Sequence, residues 1–464
     1  MSASDSVKLE AVPLRVAHPT RIPSQRYYDK EFFDLEREKL WPHVWQMACR
    51  LEEIPEVGDW VEYKILDNSV IVVRTKTGVK AFHNACRHRG VQLATTARGN
   101  CEVQGFTCPF HGWRWNIDGE NTFVFGRQVF KEEDLEKAEL NLVPCRLELW
   151  GGCAFINFDD TAPALRDSLG PVAPRLEARN VDKLRMEWWY ATVVPTNWKL
   201  AMEAFMEGYH VMRTHPQLHV TMPAELSPYG LDLNQKPSGR KYSPRELVEK
   251  TYDFMATNAR GMAGMMIQSE VDIAARLRDE VELPDDPFEA VAAYYSQLRD
   301  EIYADGLERG LPVFDMKKAE AEHGMSYVEF MFPHYFLLPF FTAMSSYRIR
   351  PLSPETCLFE IWSLAPMAED DPRPRVTEPI VLPYDSPDFP EIPRQDYSNL
   401  PIQQLGLHAR GFDYMRLSDQ KEGMISNYQR LIDGYLAGLD PEKLAKATQT
   451  VNSGFEAPIL DIGF

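Results

Sequence analysis

The chain has 464 residues, of which 44% are hydrophobic and 26% charged, and its formal net charge is −19. This composition is typical of a soluble globular protein with room for two or three domains. The acidic charge and the lack of any Lys/Arg-rich run argue against nucleic-acid binding, because phosphate recognition needs a basic face.

Nothing in the sequence predicts a membrane segment or a secretion signal. Residues 1–15 lack the apolar core of a signal peptide, and no stretch reaches the roughly twenty apolar residues that a bilayer crossing requires. The most apolar stretch, 328–344, contains Glu329, His334 and two prolines. Seven cysteines is an odd number and a low density, which is typical of a reducing compartment rather than of a disulfide framework. We therefore expect a cytoplasmic protein with no membrane partner.

Local sequence patterns divide the chain into an N-terminal segment (1–45), a β-rich domain (46–160) and a larger C-terminal domain (161–464). Phenylalanines and leucines at helical spacing predict a helix over 29–40 that packs on the larger C-terminal domain. Short alternating runs separated by turn signals predict a small all-β domain. These runs lie at 60–64, 70–74, 79–83, 102–107, 142–149 and 153–158.

Two loops of the β-rich domain each carry one cysteine and one histidine. The first reads Cys-Arg-His-Arg-Gly from Cys86, with His88, and the second reads Cys-Pro-Phe-His-Gly-Trp from Cys108, with His111. Two cysteines and two histidines also make structural zinc sites, but those usually pair Cys with Cys and His with His. The mixed loops favour a Rieske [2Fe–2S] cluster, in which two histidines hold one iron and two cysteines the other.

A second candidate metal site lies about a hundred residues further on. After a strand predicted at 188–194 comes Asn-Trp-Lys from Asn197, then Glu207, His210 and His215-Pro216. Glu207 and His210 lie three apart and would share one face of a helix. His215 would join them if the helix loosens before Pro216. Two histidines and a carboxylate form the facial triad of non-haem iron sites, so His210 and His215 are the first two predicted ligands.

The remainder of the C-terminal domain alternates helices and strands. Residues 216–322 are helix-rich and bear many methionines, which either fill the core or line a pocket. Strands are predicted at 347–350 and 357–364, a surface excursion or lid at the proline-rich 366–401, and a closing helix over 418–436.

Taken together, these motifs resemble the catalytic α subunit of Rieske non-haem iron oxygenases, the ring-hydroxylating dioxygenase family. The resemblance implies an α+β fold: an all-β Rieske [2Fe–2S] domain plus a helix-grip-like catalytic domain, with an antiparallel sheet backed by helices. It also implies a homotrimer, with or without β subunits. An electron-transfer or zinc-stabilised binding protein without a second metal is the alternative from a different class.

The resemblance also implies roles for individual residues. Glu207 is then not a ligand but a bridge that carries electrons from His111 of a neighbouring subunit to His210; the family more often has Asp there. The third iron ligand is expected from the C-terminal helix, and Asp419 is the predicted residue, with Gln420 and Glu422 as alternatives.

The implied reaction is O2 activation at a mononuclear Fe(II) with electrons from the Rieske cluster. NAD(P)H would act through a separate reductase, with or without a ferredoxin, since the chain has no nucleotide-binding glycine motif. The expected substrate is an aromatic small molecule that undergoes cis-dihydroxylation in aromatic hydrocarbon catabolism. The alternative is a monooxygenase or demethylase acting on methoxy, N-methyl or carboxylated substrates. Arg213, Arg348 and Arg350 would recognise a carboxylate or form structural ion pairs.

Overall fold

The computed structural model describes residues 3–221 and 242–464. The N-terminal segment contains α1 (Ala3–Glu10), β1 (Arg21–Pro23) and α2 (Lys30–Lys39). Asp29 caps α2 by accepting a hydrogen bond from the backbone N–H of Phe32 at 2.8 Å, and Phe32 is buried. The predicted N-terminal helix is confirmed. Its Glu36 is fully buried and accepts a hydrogen bond from the Trp198 indole N–H.

The next hundred residues are built from short antiparallel strands. Three sheets have the orders β5-β4-β3-β6, β10-β11-β2 and β7-β8-β9. The elements are β2 (Gln46–Arg50), β3 (Asp59–Ile65), β4 (Asn68–Thr75), β5 (Gly78–His83), β6 (Arg98–Asn100), β7 (Phe106–Thr107), β8 (Arg114–Trp115), β9 (Asn121–Phe123), α3 (Lys137–Leu140), β10 (Arg146–Trp150) and β11 (Cys153–Asn157). The β-rich character is confirmed, while the domain boundaries at 45 and 160 stay predictions.

Two of the predicted strands in this region are shorter than expected. The strand predicted at 102–107 is reduced to β7, because the residues before it form a turn. In this turn Gly105, at φ +63°, donates its N–H to the Cys101 carbonyl. In the strand predicted at 142–149, Pro144 makes only an isolated bridge with Phe82. Because proline has no N–H to donate, the regular ladder starts only at Arg146.

The C-terminal region places a mixed set of helices against one large sheet. Its order is β13-β14-β15-β16-β12-β17, antiparallel except for the short β12–β17 pair, and β18 pairs with β1. The elements are α4 (Leu165–Leu169), α5 (Val172–Glu177), β12 (Arg185–Val194), α6 (Trp198–Glu203), α7 (Val211–Thr214), α8 (Pro216–Thr221), α9 (Pro244–Met262), α10 (Gln268–Glu280), α11 (Pro287–Glu308), α12 (Met316–His323), β13 (Glu329–Met331), β14 (Tyr335–Pro339), β15 (Met344–Ser353), β16 (Thr356–Ala365), β17 (Ile380–Val381), α13 (Glu391–Leu407), β18 (Tyr414–Arg416), α14 (Gly423–Leu436) and α15 (Pro441–Val451). This is the expected antiparallel sheet backed by helices. Part of the predicted helix-rich segment, 222–241, lies outside the described residues.

The proline-rich stretch 366–401 is not only a surface excursion. Its last third forms the first part of α13, which runs from Glu391 to Leu407 with buried residues at Ile392, Asp396 and Leu400. Pro390 and Pro393 lie at the start of the helix, where the backbone N–H groups need no helical acceptor. The prediction of a lid was therefore wrong for residues 391–401.

A buried ion pair joins the β-rich region to the large sheet. Arg348 donates two hydrogen bonds to Glu360, at 2.7 and 2.8 Å, and reaches the carbonyls of Met47 and Ala48 in β2. Arg350 adds a bond of 3.1 Å to Glu360. Burial raises the pKa of Glu360, but Arg348 and Arg350 outweigh it and hold that pKa at about 2. Both arginines are thus structural, which resolves that alternative against substrate recognition.

Each helix in the described part of the chain is too short or too polar to cross a bilayer.

Candidate metal centres

The two Cys-His loops have the same backbone geometry. In the first, the Cys86 N–H donates to the Val91 carbonyl at 2.8 Å and the Gly90 N–H donates back to the Cys86 carbonyl at 2.9 Å. In the second, Cys108 and Gly112 make the equivalent bonds at 2.8 and 3.0 Å, with Trp113 as the acceptor for Cys108. Both glycines adopt positive φ, +77° and +71°, which a side chain would disfavour. The two loops therefore have matching backbone conformations around their ligands.

The four predicted ligands sort into a sulfur pair and a nitrogen pair. Cys86 and Cys108 are buried and their thiols contact each other. The rings of His88 and His111 lie 4.7 Å apart, and Trp113 stacks on His88 at 4.9 Å. Burial and the Cys108 thiol raise the pKa of Cys86, which backbone N–H groups of the loop partly offset by donating to its sulfur. A separated S2 and N2 donor set fits a Rieske [2Fe–2S] cluster, with one pair on each iron.

The Asn-Trp-Lys motif anchors the start of the second site. Asn197 caps α6 by accepting from the Lys199 N–H. The Lys199 ammonium bonds Glu36 at 2.6 Å with both side chains fully buried, and the Trp198 indole N–H donates to the other Glu36 oxygen at 3.1 Å. The motif thus holds α6 against α2 and is structural.

Glu207 and His210 do not share a helix, contrary to expectation. Helix α6 ends at Glu203, and the residues that follow form a turn. The two side chains nevertheless meet, because His210 Nδ1 lies 2.7 Å from Glu207 Oε1 and the His210 N–H donates to Oε2 at 3.0 Å. Burial lowers the pKa of His210, but Glu207 and Asp396 more than compensate and raise it.

His215 follows α7 with non-helical backbone, and Pro216 begins α8, as the sequence predicted. Its Nδ1 lies 2.6 Å from Gln395 Oε1, an oxygen that also accepts from Gln217. Because an amide oxygen only accepts, His215 must donate from Nδ1, which leaves the lone pair on Nε2 available for a metal.

Asp396 is the carboxylate that completes the second site. Its Oδ1 lies 3.2 Å from His215 Nε2 and 3.7 Å from His210 Nε2, and the three donor atoms lie within 4.8 Å of one another. Asp396 is only 6% exposed. Two imidazoles and one carboxylate on a single face are the donor set of mononuclear non-haem iron sites.

The structure groups Asp396, and not the predicted Asp419, with the two histidines. Asp419 and Gln420 are exposed in a turn before α14, and the Glu422 carboxylate accepts from the Ser418 N–H at 2.8 Å. Burial raises the pKa of Glu422, and the charge of Glu207 raises it further. Of these three residues, only Glu422 therefore lies near the site. Buried residues recur every three or four positions along 392–407, but two of them, Asp396 and Gln404, are polar, so the apolar pattern of this helix is weak in the sequence.

A cavity adjoins the second site and is lined mainly by apolar side chains, including Phe205, Met262, Met265 and Phe455. It also contacts Glu207, His210, His215 and Asp396. The described lining contains no lysine or arginine.

The fold and these two donor sets define a Rieske-type non-haem iron oxygenase, an oxidoreductase class that incorporates oxygen. Residues 44–124 match the family model described as Rieske [2Fe-2S] domain, and residues 181–438 match that described as ring hydroxylating alpha subunit (catalytic domain). Because the second match spans more than half of the chain, the chain belongs to the family of ring-hydroxylating α subunits. The family implies a Rieske cluster and a mononuclear iron, and both donor sets fit them.

Similar proteins include oxygenase subunits that act on quaternary ammonium compounds. The glycine betaine monooxygenase oxygenase subunit of Chromohalobacter salexigens is 34% identical over 42% of this chain and 43% of its own length. The carnitine monooxygenase oxygenase subunit of Escherichia coli K12 is 34% identical over 42% and 52%. The chain thus spans about half the length of these curated relatives.

A solved structure extends the likeness to nearly the whole chain. Naphthalene 1,2-dioxygenase with indole bound in the active site superposes with a TM-score of 0.63 over 96% of this chain and 97% of that one, at 20% identity. This likeness shows the fold, which confirms the α+β architecture expected from the resemblance.

Proposed function

We propose that the chain is the terminal component of a monooxygenase that attacks a carbon next to a quaternary or N-methylated nitrogen. The observation that carries the proposal is the 34% identity to glycine betaine and carnitine monooxygenase subunits. The expected cis-dihydroxylation of an arene is less well supported, since the naphthalene dioxygenase likeness is one of fold alone. The monooxygenase alternative replaces it, and aromatic hydrocarbon catabolism is not supported.

The electrostatics of the cavity suit a cation. The two positive charges of Fe(II) are balanced by the carboxylates of Asp396 and Glu207, and the described lining adds no basic side chain. Methyl groups on nitrogen can pack against Met262, Met265 and the rings of Phe205 and Phe455, where a cation is also attracted by the aromatic faces.

The residues around the proposed iron site fix its ligands. His210 and His215 present Nε2, because Glu207 and Gln395 hold their Nδ1 atoms, and Asp396 supplies the carboxylate. When bound, the cluster supplies single electrons and the iron activates O2. In the net reaction one oxygen atom enters a C–H bond and the other leaves as water, at a cost of two electrons and two protons. The α-hydroxylated amine then breaks down to an aldehyde and a tertiary amine.

Glu207 is proposed as the electron bridge between subunits of a homotrimer. Its support is that the carboxylate holds His210 on one side, while the neighbouring Tyr209 is 68% exposed. At the other centre His88 and His111 are partly exposed and Phe110 is 56% exposed, so a second copy can reach the cluster ligands. The electrons would come from NAD(P)H through a separate reductase, with or without a ferredoxin. The size of the purified assembly in solution tests whether the homotrimer forms and whether β subunits accompany it.

An oxygen-uptake assay with a surrogate reductase and 18O-labelled O2 tests the proposal. Glycine betaine, carnitine and naphthalene are compared at equal concentration. We expect uptake with an ammonium compound and release of an aldehyde and a tertiary amine, with one O2 consumed for each tertiary amine formed. A cis-diol of naphthalene carrying two labelled atoms, with no turnover of either ammonium compound, would instead establish the dioxygenase.

A further inference from the structure

We propose that Asn258 recognises a second, oxygen-bearing group of the substrate and so decides which end faces the iron. The inference rests on the proposed function for its substrate class. Asn258 lies on α9, one turn before Met262, and lines the cavity that also contacts His210, His215 and Asp396.

The side-chain amide of Asn258 is buried, yet it has no hydrogen-bond partner within the described ranges 3–221 and 242–464. The residue is 3% exposed, and among the described residues its side chain makes no hydrogen bond. The amide atoms of Asn258 retain some accessible surface. In this they differ from the fully enclosed, unpaired polar atoms found elsewhere in the described residues. The remaining accessibility therefore faces the cavity. Asn427, equally buried, shows the ordinary case: its amide donates to the Pro458 carbonyl at 2.9 Å and accepts from the Leu460 N–H at 2.9 Å.

A buried amide without a hydrogen-bond partner destabilises the folded protein, so such groups are rare in native structures. The neighbouring lining, with Met262, Met265, Val328 and Leu338, offers only apolar side chains to it. Within the described lining, the other polar side chains are those of the metal site. A ligand in the cavity is thus the natural partner of this amide.

The chemistry of the ligand follows from what an amide can pair with. A quaternary nitrogen has neither an N–H nor a lone pair, so Asn258 must serve a different group of the same molecule. A carboxylate or carbonyl oxygen accepts from the Asn258 NH2 group. Once Asn258 holds that oxygen, the methylated nitrogen at the other end of the molecule can face the metal ligands. We infer a quaternary ammonium or N-methyl substrate that also carries a carboxylate or carbonyl.

The test compares two ammonium probes that differ in that oxygen-bearing group. Calorimetric binding of glycine betaine and of trimethyl(propyl)ammonium is measured on the oxidised holoenzyme under nitrogen, so that no turnover occurs. In Asn258→Leu we expect glycine betaine to bind about tenfold or more weaker, while trimethyl(propyl)ammonium changes by less than about twofold. Met262→Leu, on the same wall, is the control and should leave the ratio of the two affinities unchanged.

Other outcomes overturn the assignment. An equal loss for both probes in Asn258→Leu indicates a structural role, and no loss for either indicates no role. Thermal unfolding adds a second readout: Asn258→Leu should not lower Tm, whereas Asn427→Leu should.

Failure of the substrate class can be separated from failure of Asn258. If the wild type binds neither ammonium probe but binds indole and naphthalene, the proposed function fails. Asn258 is then scored on that pair, since indole has an N–H that the Asn258 carbonyl can accept and naphthalene has none. A selective loss of indole binding in Asn258→Leu supports the recognition role, and an equal loss or no binding of any probe by the wild type refutes it.

Discussion

The two metal centres are built on opposite principles. The Cys-His centre comes from two loops 22 residues apart at their cysteines, each closed by its own backbone hydrogen bonds around a glycine at positive φ. The histidine-carboxylate centre draws on a turn, a helix end and a distant helix, and it is oriented by the side chains of Glu207 and Gln395. The first is preorganised by main chain, whereas the second depends on tertiary packing and a shell of side chains.

The difference implies different sensitivities. The loop centre should tolerate changes in distant helices, while the dispersed centre should respond to any side chain that orients its ligands. Substitutions that separate the centres therefore test how independent they are.

Loss of Asp396 should have the largest effect. We expect Asp396→Ala to weaken retention of the mononuclear iron by at least about 100-fold, because removing a ligand costs no less than removing its orienting partner. The visible spectrum of the cluster should be unchanged. Metal analysis after dialysis against a chelator measures the iron. Asp419→Ala is the matched control and should keep the iron; iron loss in that variant would restore Asp419 as the ligand.

The buried Glu360 tests whether the two regions are thermodynamically coupled. At pH 7, Glu360→Gln leaves Arg348 and Arg350 without their counterion and should lower the free energy of unfolding by about 3–5 kcal/mol. Since the pKa of Glu360 is depressed from 4.5 to about 2, its contribution is fully present above pH 4.5 and is lost as the pH falls toward 2.

Urea unfolding at pH 7 and pH 3 measures this effect, with both the cluster absorbance and tryptophan fluorescence as probes. The difference between wild type and Glu360→Gln should shrink at pH 3. Glu10→Gln removes an exposed carboxylate and should change little. A pH-independent difference would mean that Glu360 is not charged in the folded protein.

Substitution of Gln395 tests the side chains that orient the ligands without replacing a ligand itself. Gln395→Leu removes the acceptor of His215 Nδ1 and should weaken iron binding by about 10–100-fold, while the cluster spectrum stays the same. Gln403→Leu, exposed on the same helix, is the control. Equal iron affinity in the two variants would show that packing alone orients His215.

These sensitivities also explain what could be read from the sequence. Cys86, His88, Cys108 and His111 lie in short motifs whose spacing is fixed by local backbone geometry, so the sequence places them together. The β-rich region and the helix near 30–39 follow from local periodicity in the same way. His210 and His215 were also predicted from the sequence, although His210 lies in a turn where a helix was expected.

Asp396 could not be found by motif spacing, because it meets the histidines only through the packing of α13. Proline content suggested a surface segment there, yet the prolines at 390 and 393 fall where a helix tolerates them. The resemblance implied a ligand from the C-terminal helix instead, and this led to the prediction of Asp419. Long-range convergence of this kind is decided by tertiary structure, and no local pattern encodes it.

Backbone preorganisation of the loop centre gives the smallest expected effect. Gly112 has open space where a Cβ would lie, so only its φ of +71° disfavours a residue with a side chain. Gly112→Ala should lower stability by about 1–2 kcal/mol through backbone strain alone, seen as earlier loss of cluster absorbance on heating. Gly406, in α13, has equally open space and no positive φ, so Gly406→Ala should raise stability by about 0.5–1 kcal/mol. If both substitutions shift the cluster transition alike, the loops are held by the metal rather than by their backbone, and the contrast between the two centres disappears.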